Sequence, residues 1–467
     1  MKKIFSKLFE DFYRIFYIIS PSNKVKTLIL FIMMAVQSGL ELLFILTLAY
    51  MGTALTTPDS LNTNPLFKTL YYCFPALEEW SKNPRYLVLT SGFIVVSFSI
   101  LKNAMSWITA KHTVLYGEMI SIDIGSEIMT YFLYSDYMWH LSSESSTTFQ
   151  RMQWRGNLSM MLINQLYMYA CIFTMLVLFI SLVGQEPILT TLTITVTGTI
   201  GFVLYRTIRR KVDNAATITA QSTQEENRAI MCATRGIRDV LVYRQQKIFL
   251  RSVVDSAKHG IDARAFNTLA PTMPTWVLES TGFMIVVLSL AYLVFVDHAD
   301  IARITKALGL LLLTAWRVLP YSNRVVSYQV VIRSLRPTVL AVLDLLESLR
   351  NREKSTLIEP DPSFILQHEV ALRHVCFRYP GASEDCLHDM SFKIRVGEKI
   401  GIIGPSGAGK STLVGILSGL LLPSYGVIEA DDEPLTPART AALRSLVGYV
   451  PQSPFLFAGT LAENVAF

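Results

Sequence analysis

Nine consecutive residues, Gly404-Pro405-Ser406-Gly407-Ala408-Gly409-Lys410-Ser411-Thr412, combine three spaced glycines with a lysine and two hydroxyls. They follow a short apolar run, Lys399-Ile400-Gly401-Ile402-Ile403. They lead into Thr412-Leu413-Val414-Gly415-Ile416-Leu417, which reads as a helix. Strand, glycine-rich loop and helix form the context that the pattern G-x-x-x-x-G-K-[ST] requires. Glycine lets the backbone wrap a phosphate without a Cβ in the way. Successive N–H groups and the helix N-terminus then point at the anion. In such a loop Lys410 reaches the β- and γ-phosphates and Ser411 is a ligand of Mg²⁺. The plainer reading is a glycine-rich turn before a helix, and the complete pattern in this context disfavours it. The chemistry is binding of a nucleoside triphosphate, ATP or GTP.

The elements that must position this loop belong to an unusually apolar chain. Of its 467 residues 51% are hydrophobic and 17% charged, against roughly 25% charged in soluble domains. That balance implies a membrane-embedded part. The net charge of +6 is modest and does not call for nucleic acid; it reads as lysine and arginine on the cytoplasmic side. The five cysteines (Cys73, Cys171, Cys232, Cys376, Cys386) are scattered, with neither metal-ligand spacing nor the look of a disulfide framework.

Residues 1–20 place Lys2, Lys3, Lys7 and Arg14 among Ile4, Phe5, Leu8, Phe9, Phe12, Ile15 and Phe16 at helical spacing. A signal peptide would need an unbroken apolar core and a small-residue cleavage site. An amphipathic helix lying on the inner leaflet fits better. Six apolar runs follow, near Thr27–Met51, Tyr86–Ala110, Ser159–Leu182, Ile188–Tyr205, Trp276–Val296 and Ala307–Tyr321, where a spanning helix needs about 20 residues. Between Arg206 and Arg264 there are twelve lysines and arginines, whereas the turn Val183-Gly184-Gln185-Glu186-Pro187 has none. Positive residues stay cytoplasmic, so the N-terminus, both long connections and the phosphate loop are expected inside. Residues 212–268 read as polar helices that carry the membrane helices into the cytoplasm.

Charged residues within spans are costly and usually face a partner or a cavity. Here they are Glu41, Lys102, Glu279 and Arg317. Two readings stay open: a Glu279–Arg317 pair holding two helices together, or a cavity where Lys102 and Arg317 meet an anionic headgroup. Pro320 is expected to kink the sixth helix or mark its exit. The composition shifts at Asn351-Arg352-Glu353-Lys354 and Glu359-Pro360-Asp361-Pro362. Beyond it Val370–Tyr379, Ser391–Val396 and Gly426–Ala430 read as strands.

Phe377-Arg378-Tyr379-Pro380 before the loop, and Val447-Gly448-Tyr449-Val450-Pro451-Gln452-Ser453-Pro454-Phe455-Leu456-Phe457 with Thr460-Leu461-Ala462-Glu463-Asn464-Val465 after it, complete a recognisable series. With these the chain resembles an ATP-binding cassette (ABC) exporter of the half-transporter kind, over essentially its whole length. Trp276–Phe283 and Trp316–Arg324 are most similar to the branch that flips lipid-linked oligosaccharides. The resemblance implies an α-helical membrane domain followed by an incomplete α/β P-loop domain. Its parts are an interfacial helix (1–20), a six-helix membrane domain (21–335), a linker (336–366) and the first part of an ATP-binding domain (367–467). It implies ATP and Mg²⁺ as ligands, with Gly404 to Thr412 on the phosphates and Tyr379 stacked on adenine. Gln452 touches Mg²⁺ and couples to the membrane domain, and Gly236-Ile237-Arg238-Asp239-Val240 is a coupling helix. It also implies a second half-transporter as partner, membrane lipids, an amphipathic substrate such as a lipid-linked glycan, no nucleic acid, and a bacterial-type inner membrane.

The family's signature sequence, Walker B aspartate, catalytic glutamate and switch histidine do not occur after Gln452. Leu417-Ser418-Gly419-Leu420 and Asp431-Asp432-Glu433 imitate two of them at the wrong places. No catalytic residue is therefore assigned, and this polypeptide is expected not to hydrolyse ATP by itself. The sheet is expected to lack central strands. The alternative reading is a non-hydrolysing membrane remnant that binds nucleotide or pairs with a complete subunit.

Overall fold

The computed structural model describes residues 11–56, 84–142, 150–183, 187–295, 301–350, 359–452 and 454–466. The chain divides into two units: Met1–Ile128 with Ser146–Ser348, and Met129–Ser145 with Leu349–Phe467.

Long apolar stretches without interior breakers make long helices, and the first unit is built of them. Residues 11–18 form α1, followed by α2 (Pro21–Thr56) and α3 (Pro84–Leu133). The short helix α4 (Tyr137–Ser142) belongs to the second unit; α5 (Arg155–Val183) and α6 (Pro187–Arg235) return to the first. Then come α7 (Ile237–Val242), α8 (Gln246–His259), α9 (Ile261–Leu269), α10 (Met273–Phe295) and α11 (Ile301–Arg350). Over the described part of the N-terminus, Ile15, Ile18 and Ile19 are buried while Tyr13 and Tyr17 are exposed. Residues 1–10, with Lys2, Lys3 and Lys7, lie outside the described residues.

Four helical stretches among the described residues are long and apolar enough to cross a membrane: Pro21–Leu48, Leu89–Leu133, Gln150–Phe179 and Gln246–Phe295. The expected spans Ile188–Tyr205 and Ala307–Tyr321 lie on α6 and α11 but are not among the four. Side chains over much of both segments lie outside the described residues, to which those four are confined. Pro320 does not end its helix; α11 runs on through Pro320 and Pro337 to Arg350.

Polar side chains tie the apolar helices together. Ser38 on α2 and Thr174 on α5 share a buried hydrogen bond of 2.7 Å. Asn23 donates to Asp123 on α3 at 2.7 Å, and Ser159 on α5 donates to Glu118 on α3 at 3.0 Å. In a medium without water such bonds satisfy groups that would otherwise be stranded. Lys102 on α3 meets Glu41 on α2 at 3.0 Å, and both side chains are almost wholly enclosed. The sequence-based anion reading for Lys102 is therefore corrected: its charge is already matched. Arg317's side chain lies outside the described residues, and Glu279 is exposed.

The second unit holds an antiparallel sheet in the order β2-β1-β3-β4, with β1 (Glu369–Phe377), β2 (Leu387–Arg395), β3 (Tyr425–Ala430) and β4 (Glu433–Pro434). Its inner face packs Leu372, Val375, Phe377 and Ile428 against Leu413 and Ile416 of α12 (Lys410–Leu417) and Leu443 of α13 (Pro437–Ser445). The last helix is α14 (Leu461–Val465). Lys399–Ile403, expected as a strand, is extended but carries no ladder, and Ile403 is 97% exposed. An extended apolar run becomes a strand only where a neighbour takes its hydrogen bonds, and none does so among the described residues. Asp431-Asp432 is a turn with both residues at positive φ, in keeping with its reading as a mimic.

Candidate nucleotide-binding site

The loop Gly404–Gly409 joins the extended run to α12. Gly407 and Gly409 sit at φ +84° and +80°, a region that favours glycine. Gly409 is held twice over: a Cβ there would lie 2.8 Å from Leu387 and 3.0 Å from the Cys386 carbonyl. The loop thus nestles on the start of β2. The N–H groups of Gly407, Gly409, Lys410, Ser411 and Thr412 close no backbone hydrogen bond on the loop. Several face the helix N-terminus, where the aligned peptide dipoles favour an anion. Lys410 donates from Nζ to the carbonyls of Gly404 and Pro405, each at 2.7 Å. An ammonium parked on neutral carbonyls exchanges readily for the stronger charge-assisted bond to a phosphate. Backbone conformation, open N–H groups and an ammonium bonded only to neutral carbonyls fit a triphosphate. Ser411 is exposed in the first turn of α12, where its hydroxyl could hold Mg²⁺.

Thr412 is different. Its side chain is buried, and its hydroxyl lies 3.0 Å from that of Tyr379 and 3.4 Å from the Cys386 thiol. The contribution of Thr412 to an anion is through its N–H; its hydroxyl anchors the helix to the sheet. Tyr379 meets the loop through Thr412, with its ring edge-on to Phe377 at 4.9 Å. Gln452 is exposed and makes no hydrogen bond among the described residues. Behind it Asn464 brackets Phe457, accepting its N–H at 3.0 Å and donating to its carbonyl at 3.1 Å. Thr460 and Glu463 form a capping box on α14.

Asp431 supports the domain from the far side. It accepts the N–H groups of Gln367, His368 and Glu369 at 2.7–2.9 Å, which holds its carboxyl below the usual carboxylate range.

One element went unnoticed in the sequence. Met138 of α4 packs against the core of the second unit, the same core that carries α12. Phe132, Trp139 and His140 stack edge-to-face on one another beside it in sequence, with centroids 4.8–5.6 Å apart. An apolar six-residue stretch, Tyr-Met-Trp-His-Leu-Ser, between two predicted helices was the available signal. The predicted coupling segment Gly236–Val240 does contain a helix, α7, with Gly236 as its N-cap.

Residues 387–466 match the sequence profile of the ABC transporter family. A Bacillus subtilis protein named as the uncharacterized ABC transporter ATP-binding protein YfiB is 39% identical over 102 residues, 22% of this chain. ABC transporter C family member 6 of Dictyostelium discoideum is 26% identical over 247 residues, 49% of this chain. The ATP-dependent lipid A-core flippase of Bordetella avium is 35% identical over 112 residues, 24% of this chain. The matched stretches span 18% of the length of each relative. An ABC transporter ATP-binding region on a chain with several apolar helices is therefore what fold, loop and relatives agree on. ATP is the ligand that this region implies.

Proposed function

We propose that this chain works as a half-transporter of the ABC exporter class, using ATP to export or flip an amphipathic substrate across a plasma membrane. The observation that carries the reading is the phosphate loop: positive-φ glycines, free N–H groups and Lys410 at the head of α12, on the same polypeptide as the apolar helices. Gly404, Pro405, Ser406, Gly407, Ala408, Gly409, Lys410 and Ser411, with the N–H of Thr412, take the phosphates. Ser411 and Gln452 hold Mg²⁺, and Tyr379 takes adenine. Bound Mg²⁺ neutralises phosphate charge; these side chains orient the nucleotide. The N-terminus and the ATP-binding region face the cytoplasm.

An amphipathic substrate is supported by a cavity of about 460 Å³ in the helical unit. Gln37, Asn103, Ser106, Thr109 and Arg324 line it beside the neutralised Glu41–Lys102 pair. Thr109 is buried there and its hydroxyl lacks a partner. Hydrogen-bonding walls between apolar helices suit a molecule with a polar head and an apolar tail, and a lipid-linked glycan is the substrate we favour. A second copy is the partner, supported by the uncovered apolar side chains of α7.

Replacing Lys410 with Ala in the purified chain should weaken binding of a fluorescent ATP analogue about tenfold or more, the value of one charge-assisted contact. Undiminished affinity would defeat the nucleotide reading.

A further inference from the structure

A second, smaller cavity lies in the helical unit where α1, α6 and α11 meet. Its volume is about 120 Å³, and its polar lining is Asp11, Arg209, Asp213, Gln329, Arg333 and Arg336. Three guanidiniums face two carboxylates, so the wall is left with a net positive charge. The carboxylates are committed. Arg336 grips Asp11 through Nε at 2.7 Å and Nη2 at 3.0 Å. Arg333 gives Nη1 to both oxygens of Asp213 at 2.9 and 3.0 Å, and Nε to the Tyr205 hydroxyl at 2.7 Å. Arg209 is the cation left over. It comes no nearer to Asp213 than 3.8 Å, beyond hydrogen-bond range, and it makes no hydrogen bond among the described residues.

Gln329 adds an independent sign of a missing occupant. It is 7% exposed, lines the cavity, and its buried Oε1 has no partner among the described residues. A stranded buried amide oxygen is costly. The amide can turn to present its NH₂ group instead, a donor beside a guanidinium that must share Asp213 with Arg333. A group with several acceptor oxygens and a single negative charge satisfies both. The cavity offers several times the ~10–15 Å³ that one water needs, which admits a phosphate. The two carboxylates in the wall exclude a polyphosphate.

The site lies at a level where such groups are abundant. Tyr13 and Tyr17 are exposed on α1, and Lys24 lies 5.5 and 5.9 Å over the rings of Phe16 and Tyr17. Arg206, Arg209, Arg210 and Lys211 directly follow the apolar stretch of α6. Exposed tyrosines and clustered cations mark the headgroup layer on the cytoplasmic side.

We infer that this cavity binds the phosphate of a membrane phospholipid headgroup, with Arg209 supplying the charge, Gln329 an amide hydrogen bond and Arg333 its remaining Nη2. An occupant would tie α1 to α6 and α11. This site is separate from the nucleotide loop and needs only that the helical unit reside in a membrane.

The test is thermal unfolding of the full chain in neutral detergent, titrated separately with phosphatidylglycerol, monoacylglycerol and inorganic phosphate. Phosphatidylglycerol should raise the midpoint saturably, and monoacylglycerol should not. Arg209→Gln and, independently, Gln329→Glu should raise the half-saturating concentration about tenfold, as expected for one charge-assisted hydrogen bond, with binding of the ATP analogue kept as proof of folding. A response to inorganic phosphate equal to that to phosphatidylglycerol would assign the site to free phosphate and overturn the lipid source. Equal shifts in wild type and both variants, or no shift with either phosphate probe, would overturn the site itself.

Discussion

Two six-residue helices cap turns between long helices, and they have opposite surroundings. In α4, Met138 packs, half-buried, against the hydrophobic core of the second unit, and Phe132, Trp139 and His140 stack on one another beside it in sequence. In α7, Ile237, Leu241 and Val242 stand in solvent, Val242 at 70% exposure, and Tyr243 follows them. The two helices match in length and in apolar content. One has its socket within the chain; the other displays what a socket would receive. Contiguous exposed apolar side chains at a helix tip usually mark a contact surface. Under the proposed two-copy reading, the uncovered tip of α7 is where a second copy would dock.

The largest effect should come from the docked tip. Met138→Asp would put a charge against the apolar core of the second unit. A loss of about 2–3 kcal/mol in the stability of the second unit is expected, read by urea unfolding followed through Trp139 fluorescence. An unchanged midpoint would show that α4 is no more docked than α7.

Next in size is the uncovered tip. Leu241→Asp combined with Val242→Asp should leave the unfolding midpoint within about 0.5 kcal/mol, because exposed positions tolerate change. Self-association should weaken about tenfold, the loss of roughly 1.5 kcal/mol or more of apolar burial in the complex. Sedimentation in detergent measures it. A destabilised monomer with unchanged association would reverse the assignment of the two tips. A smaller effect concerns the rings: His140→Ala should cost about 1 kcal/mol of the same stability, the value of edge-to-face aromatic contact, and nothing in association.

These two tips also show what a sequence can disclose. The phosphate loop is legible because its chemistry sits in nine adjacent residues, and the glycines at 407 and 409 carry the backbone demand in their own identity. Gly236–Val240 is legible through its likeness to a family pattern. The α4 segment is not, since the importance of Met138 arises from β1 and β2 residues more than 200 positions later. The same distance problem hid the Glu41–Lys102 pair, whose members lie on separate helices and were read as charges of unknown partner. Lys399–Ile403 misled for a related reason. Apolar alternation states that a stretch can be a strand, while the ladder beside it decides whether it is one. Pro320 does not mark the exit of its helix because a proline costs one helical bond, a cost that a fifty-residue helix bears without stopping.

The smallest effect distinguishes the units by acid. Asp431, Asp361 and Glu463 in the second unit each accept N–H or hydroxyl hydrogen bonds, and their carboxyls are held below the ordinary range. Backbone N–H bonds lead the causes for Asp431 and Glu463, and the Ser363 hydroxyl for Asp361. A carboxylate whose folded pKa is depressed contributes its full stability above its unfolded value, about 4. It loses that contribution as pH falls through the lower folded value. The second unit should therefore keep its midpoint from neutral pH down to about pH 4 and weaken only below that. Asp431→Asn keeps an acceptor oxygen but removes the charge. It should lower the midpoint at neutral pH slightly and flatten the acid limb, as followed by Trp139 fluorescence against pH. An acid limb as steep in the variant as in the wild type would mean that the three N–H groups at 367–369 are held by the fold without help from that charge.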